Sequence, residues 1–356
     1  MEIFGYHLIM KQTDIYHSIM DWCRTKRPDC EFTGRTRTDL KKWRAEFARH
    51  YRRCLGPWPR PAPLRVRILG RRKCDGFIRE KVVFESTPGI HVPAYILTPA
   101  GLAKGEKRPG ILAAHGHGRG KASICGVVAK GDKAHADAVK KVNYGYAVEA
   151  VLHGYVVIAP DWIPFGERKP PIWWSRPYRD ACDISSMALQ YFGYTLLAQN
   201  VWDGMRCVDV LCRHPNVDPR KIGVIGLSYG GTMATHLLVN DPRIRAGVVS
   251  GYISTVRHDA LGPRGKGNTC GAQYVPGLLK HGDIPEVLGL AVPKPVLFEM
   301  GRREDTFHYP DMIRAYRRLA RIYRAAGAED RIAKDAHGGR HRWSGRKAWD
   351  WLSRWL

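Results

Sequence analysis

The stretch Lys221-Ile222-Gly223-Val224-Ile225-Gly226-Leu227-Ser228-Tyr229-Gly230-Gly231 constrains this chain more than any other. Residues Ile222 to Ile225 favour a short apolar strand, the strand runs into a G-x-S-x-G turn, and Met233 to Val239 continue as an apolar helix. A strand-to-helix turn this sharp forces its central serine into strained backbone angles, so Gly226 and Gly230 flank Ser228 without a Cβ to clash. The Ser228 hydroxyl is thereby pushed out above the sheet, at a helix N-terminus whose dipole favours a developing oxyanion. The spacing predicts a nucleophile elbow.

The rest of the chain supplies the sheet such an elbow needs. Gly110–Ala114, Tyr155–Ala159, Ala246–Val249 and Pro295–Met300 read as further buried strands separated by helical stretches. Ile78–Glu85 alternates at period two, and His91–Leu97 follows a Pro88-Gly89 turn, which predicts an antiparallel start to the sheet. The expected fold is therefore α/β: a mostly parallel, doubly wound sheet with helices on both faces and its site at the C-terminal ends of the strands. Residues 1–63 read as a helical arm, with Leu40, Trp43, Phe47, Tyr51 and Leu55 at helical spacing, ended by the Pro-rich stretch from Gly56 to Pro63. Residues 64–356 read as the catalytic domain, with lid-like insertions at about 164–185 and 254–283.

A serine hydroxyl needs a histidine base and an acid to orient that base. In the order an elbow of this kind uses, both follow the serine. The segment after Met300 offers Glu304 and Asp305, and the segment before the last helix offers His337 and His341. An oxyanion hole needs two backbone N–H groups. One is expected from Tyr229 and the other from His117 in His115-Gly116-His117-Gly118-Arg119-Gly120. The two histidines of that loop have no evident partner ligands, and the chain has no C-x-x-C pair or H-E-x-x-H helix, so neither a metal nor an organic cofactor is expected.

Composition limits the alternatives. At 356 residues and 44% hydrophobic content the chain can bury a large core. Nine cysteines without a tight framework fit reduced thiols, and no basic start followed by an apolar run opens the chain, so a cytoplasmic location without a membrane partner is expected. The net charge of +25 is spread along the chain, and Arg314, Arg317, Arg318, Arg321 and Arg324 fall on one helical face that reads as a solvated outer surface. No nucleic-acid-reading motif accompanies the charge, so no dedicated nucleic-acid partner is expected.

Several blocks together carry a family resemblance: His115-Gly116-His117-Gly118-Arg119-Gly120-Lys121, Asp161 to Arg168, Val201-Trp202-Asp203-Gly204-Met205-Arg206, Gly226 to Gly231, Tyr274 to Leu279, and Gly338-Gly339-Arg340-His341-Arg342-Trp343. With these in order over roughly residues 35 to 356, the chain resembles the α/β-hydrolase superfamily, in particular the bacterial branch of dienelactone hydrolases and acetyl xylan esterases. The resemblance implies Ser228 as nucleophile, His341 as base and an acid shortly after the last core strand. Counting from the strand-end glycine lands on Glu304, whereas Asp305-Thr306-Phe307 matches the acid-x-Phe pattern; Asp305 is the expected acid and Glu304 the alternative.

The expected activity is hydrolysis of a carboxylic ester through an acyl-enzyme. The alternatives are an amidase or peptidase of the same superfamily and a non-catalytic polyanion-binding protein. The expected substrate is a small-molecule or sugar ester. Trp162, Trp173 and Trp174 are candidates for stacking on it, and Arg168, Arg302 and Arg303 would favour an anionic one. The sequence leaves the oligomeric state open.

Overall fold

The computed structural model describes residues 18, 21–23, 25–171, 181–259 and 270–356. Helix α1 (Arg37–Leu55) starts where Thr36 and Asp39 cap each other reciprocally and stops at Gly56, just before Pro57. Its five apolar residues, Leu40, Trp43, Phe47, Tyr51 and Leu55, are all buried.

The strands are β1 (Arg67–Lys73), β2 (Phe77–Thr87), β3 (Ile90–Pro99), β4 (Arg108–Ala114), β5 (Val156–Pro160), β6 (Val217–Leu227), β7 (Ile244–Ser250), β8 (Val296–Gly301) and β9 (Ile332–His337). Interleaved with them are α2 (Lys133–Lys141), α3 (Tyr146–Leu152), α4 (Ala181–Gln190), α5 (Leu196–Arg213), α6 (Tyr229–Asn240), α7 (Ile284–Gly289), α8 (Tyr309–Ala326) and α9 (Ala348–Trp355).

One nine-stranded sheet runs in the order β1-β2-β3-β5-β4-β6-β7-β8-β9. Strands β1 to β3 pair antiparallel, β3 meets β5 antiparallel, and every pairing from β5 to β9 is parallel. Two strands escape the apolar pattern of the sequence. β1 is exposed along its whole length, and β9, Ile-Ala-Lys-Asp-Ala-His, is a half-buried edge.

Alternation along the parallel strands sorts side chains into two cores. Leu112, Ala114, Val156, Ile158, Ile222 and Val224 face the layer holding α1, α5, α6 and α8, while Ile111, Ala113, Val157, Ala159, Ile225 and Leu227 face the layer of α3 and α9. Burial on both faces is what makes these strands read as continuous apolar runs. The arm helix belongs to the first core: Tyr51 Oη lies 2.7 Å from His236 Nδ1 on α6 and accepts from Asn240 Nδ2 at 2.8 Å. Burial pushes the His236 imidazole down to about 3, so its neutral ring serves as a packed core group.

The chain leaves β4 towards β5 on one side and returns to β6 on the other. This reversal opens a crevice at the C-terminal ends of β4 and β6, where Ala114 pairs with Gly226.

Candidate active site

Ser228 stands between β6 and α6 with φ 63° and ψ −123°, a left-handed conformation that costs about 1–3 kcal/mol in a non-glycine residue. The tight packing around it explains both flanking glycines. A Cβ on Gly226 would strike the carbonyl of Gly230, and one on Gly230 would strike the carbonyl of Ala114. The Ser228 N–H donates to Ser250 O (3.0 Å) on β7, and Ser228 O accepts from Thr232 N (3.0 Å), so the strained residue is held from both sides.

Ser228 and His341 line one cleft of about 630 Å³, together with His117, Arg119, His135, Tyr144, Gln273, Thr306 and Phe307 among others. His341 comes from the segment between β9 and α9. Trp343 anchors that segment, its side chain fully buried and its backbone N–H donated to Val142 O at 3.0 Å. Glu299 on β8 anchors it further, accepting from Ser344 N (2.9 Å) and Gly345 N (2.8 Å). Burial raises the Glu299 carboxyl to about 7.

The segment after β8 zips to the one carrying His341. Arg302 N donates to His337 O (2.8 Å) and Arg303 N to Gly339 O (3.1 Å). This pairing brings Glu304 Oε1 to 2.9 Å from His341 Nδ1, and the same oxygen accepts from Thr306 N at 3.0 Å. The Glu304 side chain is 1% exposed, whereas that of Asp305 is 52% exposed and faces Arg340 at 3.5 Å. Of the two carboxylates it is Glu304, the alternative to the expected Asp305, that lies beside His341: the turn that donates Glu304 N to Gly301 O directs Glu304 inward and Asp305 outward. His337 sits outside the cleft lining, its Nδ1 accepting from Gly339 N.

The loop after β4 lies directly against the elbow. Gly116 packs so closely that a Cβ there would come within 3.1 Å of Ser228 Cβ, and its N–H donates to Tyr144 Oη at 2.5 Å. His115 is buried with its ring lowered to about 4 by desolvation; its Nδ1 donates to Gly116 O (2.7 Å) and its Nε2 accepts from Trp162 N (3.1 Å). Asp161 pins the far end of the loop, accepting from Lys121 N (2.7 Å), Lys121 Nζ (2.5 Å) and Glu167 N (3.0 Å). Burial works against the Lys121 ammonium, yet Asp161 and Glu167 outweigh it and raise its pKa.

Two expected substrate-binding residues are committed elsewhere. Trp162 is fully buried in the core, so it offers no face for stacking. Arg168 donates to Asp203 Oδ2 (2.7 Å) and Asp161 O (3.1 Å), a buried pair that holds the 161–168 segment to α5. Trp173 and Trp174 lie outside the described residues. Arg303 donates to Gly338 O and Arg302 leans on Ala336 O, whereas among the described residues the arginine lining the cleft is Arg119, ion-paired with Asp132.

The sequence gives no hint of what surrounds the His117 ring. Its Nε2 lies 3.0 Å from Cys270 Sγ and 3.8 Å from Cys182 Sγ, thiols 153 and 65 residues away in sequence. Phe165 and Tyr229 close on the ring edge-to-face at 5.1 and 5.5 Å. The Cys182 thiol, with help from His117 and against burial, holds Cys270 down to about 5.

The model of the Abhydrolase family matches residues 10–341, which include Ser228, Glu304 and His341. The chain belongs to the Abhydrolase family. A candidate hydrolase of Bacillus subtilis (strain 168), YtaP, is 27% identical over 302 residues, which cover 83% of this chain and 93% of that protein. Among solved structures, this Abhydrolase chain superposes on a candidate acetyl xylan esterase from Bacteroides fragilis NCTC 9343 with a TM-score of 0.75 at 19% identity, over 91% of this chain and 82% of the other. A glucuronoyl esterase from Solibacter usitatus gives a TM-score of 0.62 at 16% identity, over 90% and 92%. These likenesses establish the α/β-hydrolase fold for this family member. Among the described residues, no helix is long and apolar enough to cross a membrane.

Proposed function

We propose that this Abhydrolase family member is a carboxylic ester hydrolase working through an acyl-enzyme, with Ser228 as nucleophile, His341 as base and Glu304 as the acid that orients His341. The observation that carries the reading is the buried Glu304 carboxylate 2.9 Å from Nδ1 of His341, whose ring lines the same cleft as the strained Ser228. Glu304 would fix the proton on Nδ1 and leave Nε2 to accept from Ser228, then stabilise the imidazolium formed as Ser228 attacks the ester carbonyl. His341 would return that proton to the leaving alcohol, and a water activated the same way would release the acid.

The N–H groups of Tyr229 and His117 would stabilise the tetrahedral oxyanion. Tyr229 is the first residue of α6, and His117 follows Gly116, which packs against Ser228 Cβ. A cleft of about 630 Å³ with both apolar and polar walls suits an ester of sugar size. The names of the neighbours, acetyl xylan esterase and glucuronoyl esterase, agree with a carbohydrate ester.

The test is hydrolysis of p-nitrophenyl esters from acetyl to octanoyl by the wild type and by Ser228→Ala. Turnover that disappears in the folded variant supports the reading, and the chain-length profile sizes the acyl side of the cleft. Equal inertness of both proteins towards esters, with cleavage of p-nitroanilides by the wild type alone, would replace the esterase with an amidase.

A further inference from the structure

We infer that His117, Cys182 and Cys270 form a binding site for one thiophilic divalent cation, of which zinc is the natural candidate, beside the cleft. The three side chains come from separate parts of the fold: the loop after β4, the first turn of α4, and the segment that precedes α7. Their ligand atoms, His117 Nε2 and the two Sγ, all lie within 4.8 Å of one another.

The spacings suit the ion. Zinc bonds of about 2.0–2.1 Å to nitrogen and 2.3 Å to sulfur place tetrahedral ligands about 3.6 Å (N to S) and 3.8 Å (S to S) apart. His117 Nε2 to Cys182 Sγ is 3.8 Å and to Cys270 Sγ is 3.0 Å, so the latter pair must part by about half an ångström. Cys270 can yield, since it lies outside any helix or strand, whereas Cys182 is buried in α4.

One imidazole and two thiols fill three of four tetrahedral positions with soft donors, a set that selects zinc-like ions over magnesium or calcium. Both thiols would lose their protons to solvent as two metal–sulfur bonds form. The exposed His117 ring lines the cleft and provides the way in. Once bound, the ion would tie α4 and the Cys270 segment to the loop beside Ser228. The site rests on these three side chains and stands or falls separately from the esterase reading.

The test is titration of the full-length, phosphine-reduced protein with Co2+ as a spectroscopic probe. The expected result is thiolate-to-cobalt charge-transfer absorption that saturates at one equivalent and is bleached by zinc. It should be lost in Cys270→Ser and in Cys182→Ala, each with an unchanged circular dichroism spectrum, and retained in Cys30→Ser, which removes the thiol of a separate Cys30, Glu46 and His50 grouping. Because Cys182 is buried, His117→Gln on the exposed loop is a further variant, in which zinc binding measured against a chromophoric chelator should weaken. Absence of the absorption in the wild type, or its persistence at full intensity in the folded Cys182 and Cys270 variants, would overturn the site.

Discussion

Glu304 Oε1 lies 2.9 Å from His341 Nδ1, and the two residues arrive on segments held together by backbone hydrogen bonds between Arg302 and His337 and between Arg303 and Gly339. On the proposed mechanism a carboxylate so placed sets the tautomer and orientation of the ring, whereas its neighbour Asp305 is half exposed and faces Arg340 at 3.5 Å. Glu304→Gln should therefore lower kcat on a short-chain ester by about 10²–10⁴-fold with little change in KM. Asp305→Asn should stay within a few-fold of wild type. Steady-state kinetics on the two variants decides between them, and the opposite ranking would return the acid to Asp305.

The elbow was legible because its constraints are local: a strand, two glycines and a helix within eleven residues leave few other conformations for Ser228. The inner parallel strands were legible because burial on both faces leaves apolar runs such as Ile111–Ala114, Val156–Ala159 and Val224–Ile225. β1 and β9 lack that signature, one exposed throughout and the other a half-buried edge carrying Lys334 and Asp335. Side-chain roles that depend on distant partners were hidden. Arg168 and Trp162 read as pocket residues until Asp203, 35 residues on from Arg168, and the core around Trp162 account for them. For the acid, spacing from the strand-end glycine pointed to Glu304 and the acid-x-Phe pattern to Asp305, and it is the turn after β8 that turns Glu304 towards His341. The thiols beside His117 are brought there entirely by tertiary structure.

Lys121 is the stability-critical cation of the loop after β4. Its ammonium is 2% exposed and lies 2.5 Å from Asp161, itself 1% exposed, and 2.5 Å from Glu167. Lys121→Met would leave the Asp161 carboxylate buried with only backbone N–H donors, and breaking a buried pair from one side costs about 3–5 kcal/mol. Urea unfolding should show a loss of that order. A loss below about 1 kcal/mol would mean that Asp161 is satisfied without its ion pair.

Glu299 gives the fold a pH dependence of defined sign. Its carboxyl is raised from 4.5 to about 7 by burial, so between these values the folded protein holds a proton that the unfolded chain has released. Stability from this group therefore falls as pH rises from 4.5 to 7, by roughly 3 kcal/mol over the window. His115 and His236, lowered to about 4 and about 3, act oppositely: folding keeps them neutral, so their contribution is lost as pH falls below 6.5. The difference between wild type and Glu299→Gln isolates the carboxyl. The variant's deficit in unfolding free energy should shrink as pH is raised from 4.5 to 7.5, and a deficit that stays constant would show that Glu299 titrates normally.

Tyr144 and Gly116 position the loop expected to stabilise the oxyanion. The Gly116 N–H donates to Tyr144 Oη at 2.5 Å, and a Cβ on Gly116 would lie 2.7 Å from that oxygen, 2.8 Å from Leu227 O and 3.1 Å from Ser228 Cβ. Tyr144→Phe leaves a buried N–H without its acceptor, at a cost of about 1–3 kcal/mol, and releases the loop from its register over Ser228. A displacement of about 1 Å is enough to lower kcat by about 100-fold, so the loss should fall on kcat while KM changes little. Gly116→Ala forces the same displacement by steric pressure and should reduce turnover further. Kinetics paired with thermal unfolding separates the two effects: both variants should lose far more activity at 25 °C than their remaining folded fraction accounts for. If activity instead tracks the folded fraction, the loop's position over Ser228 contributes to stability and not to the reaction.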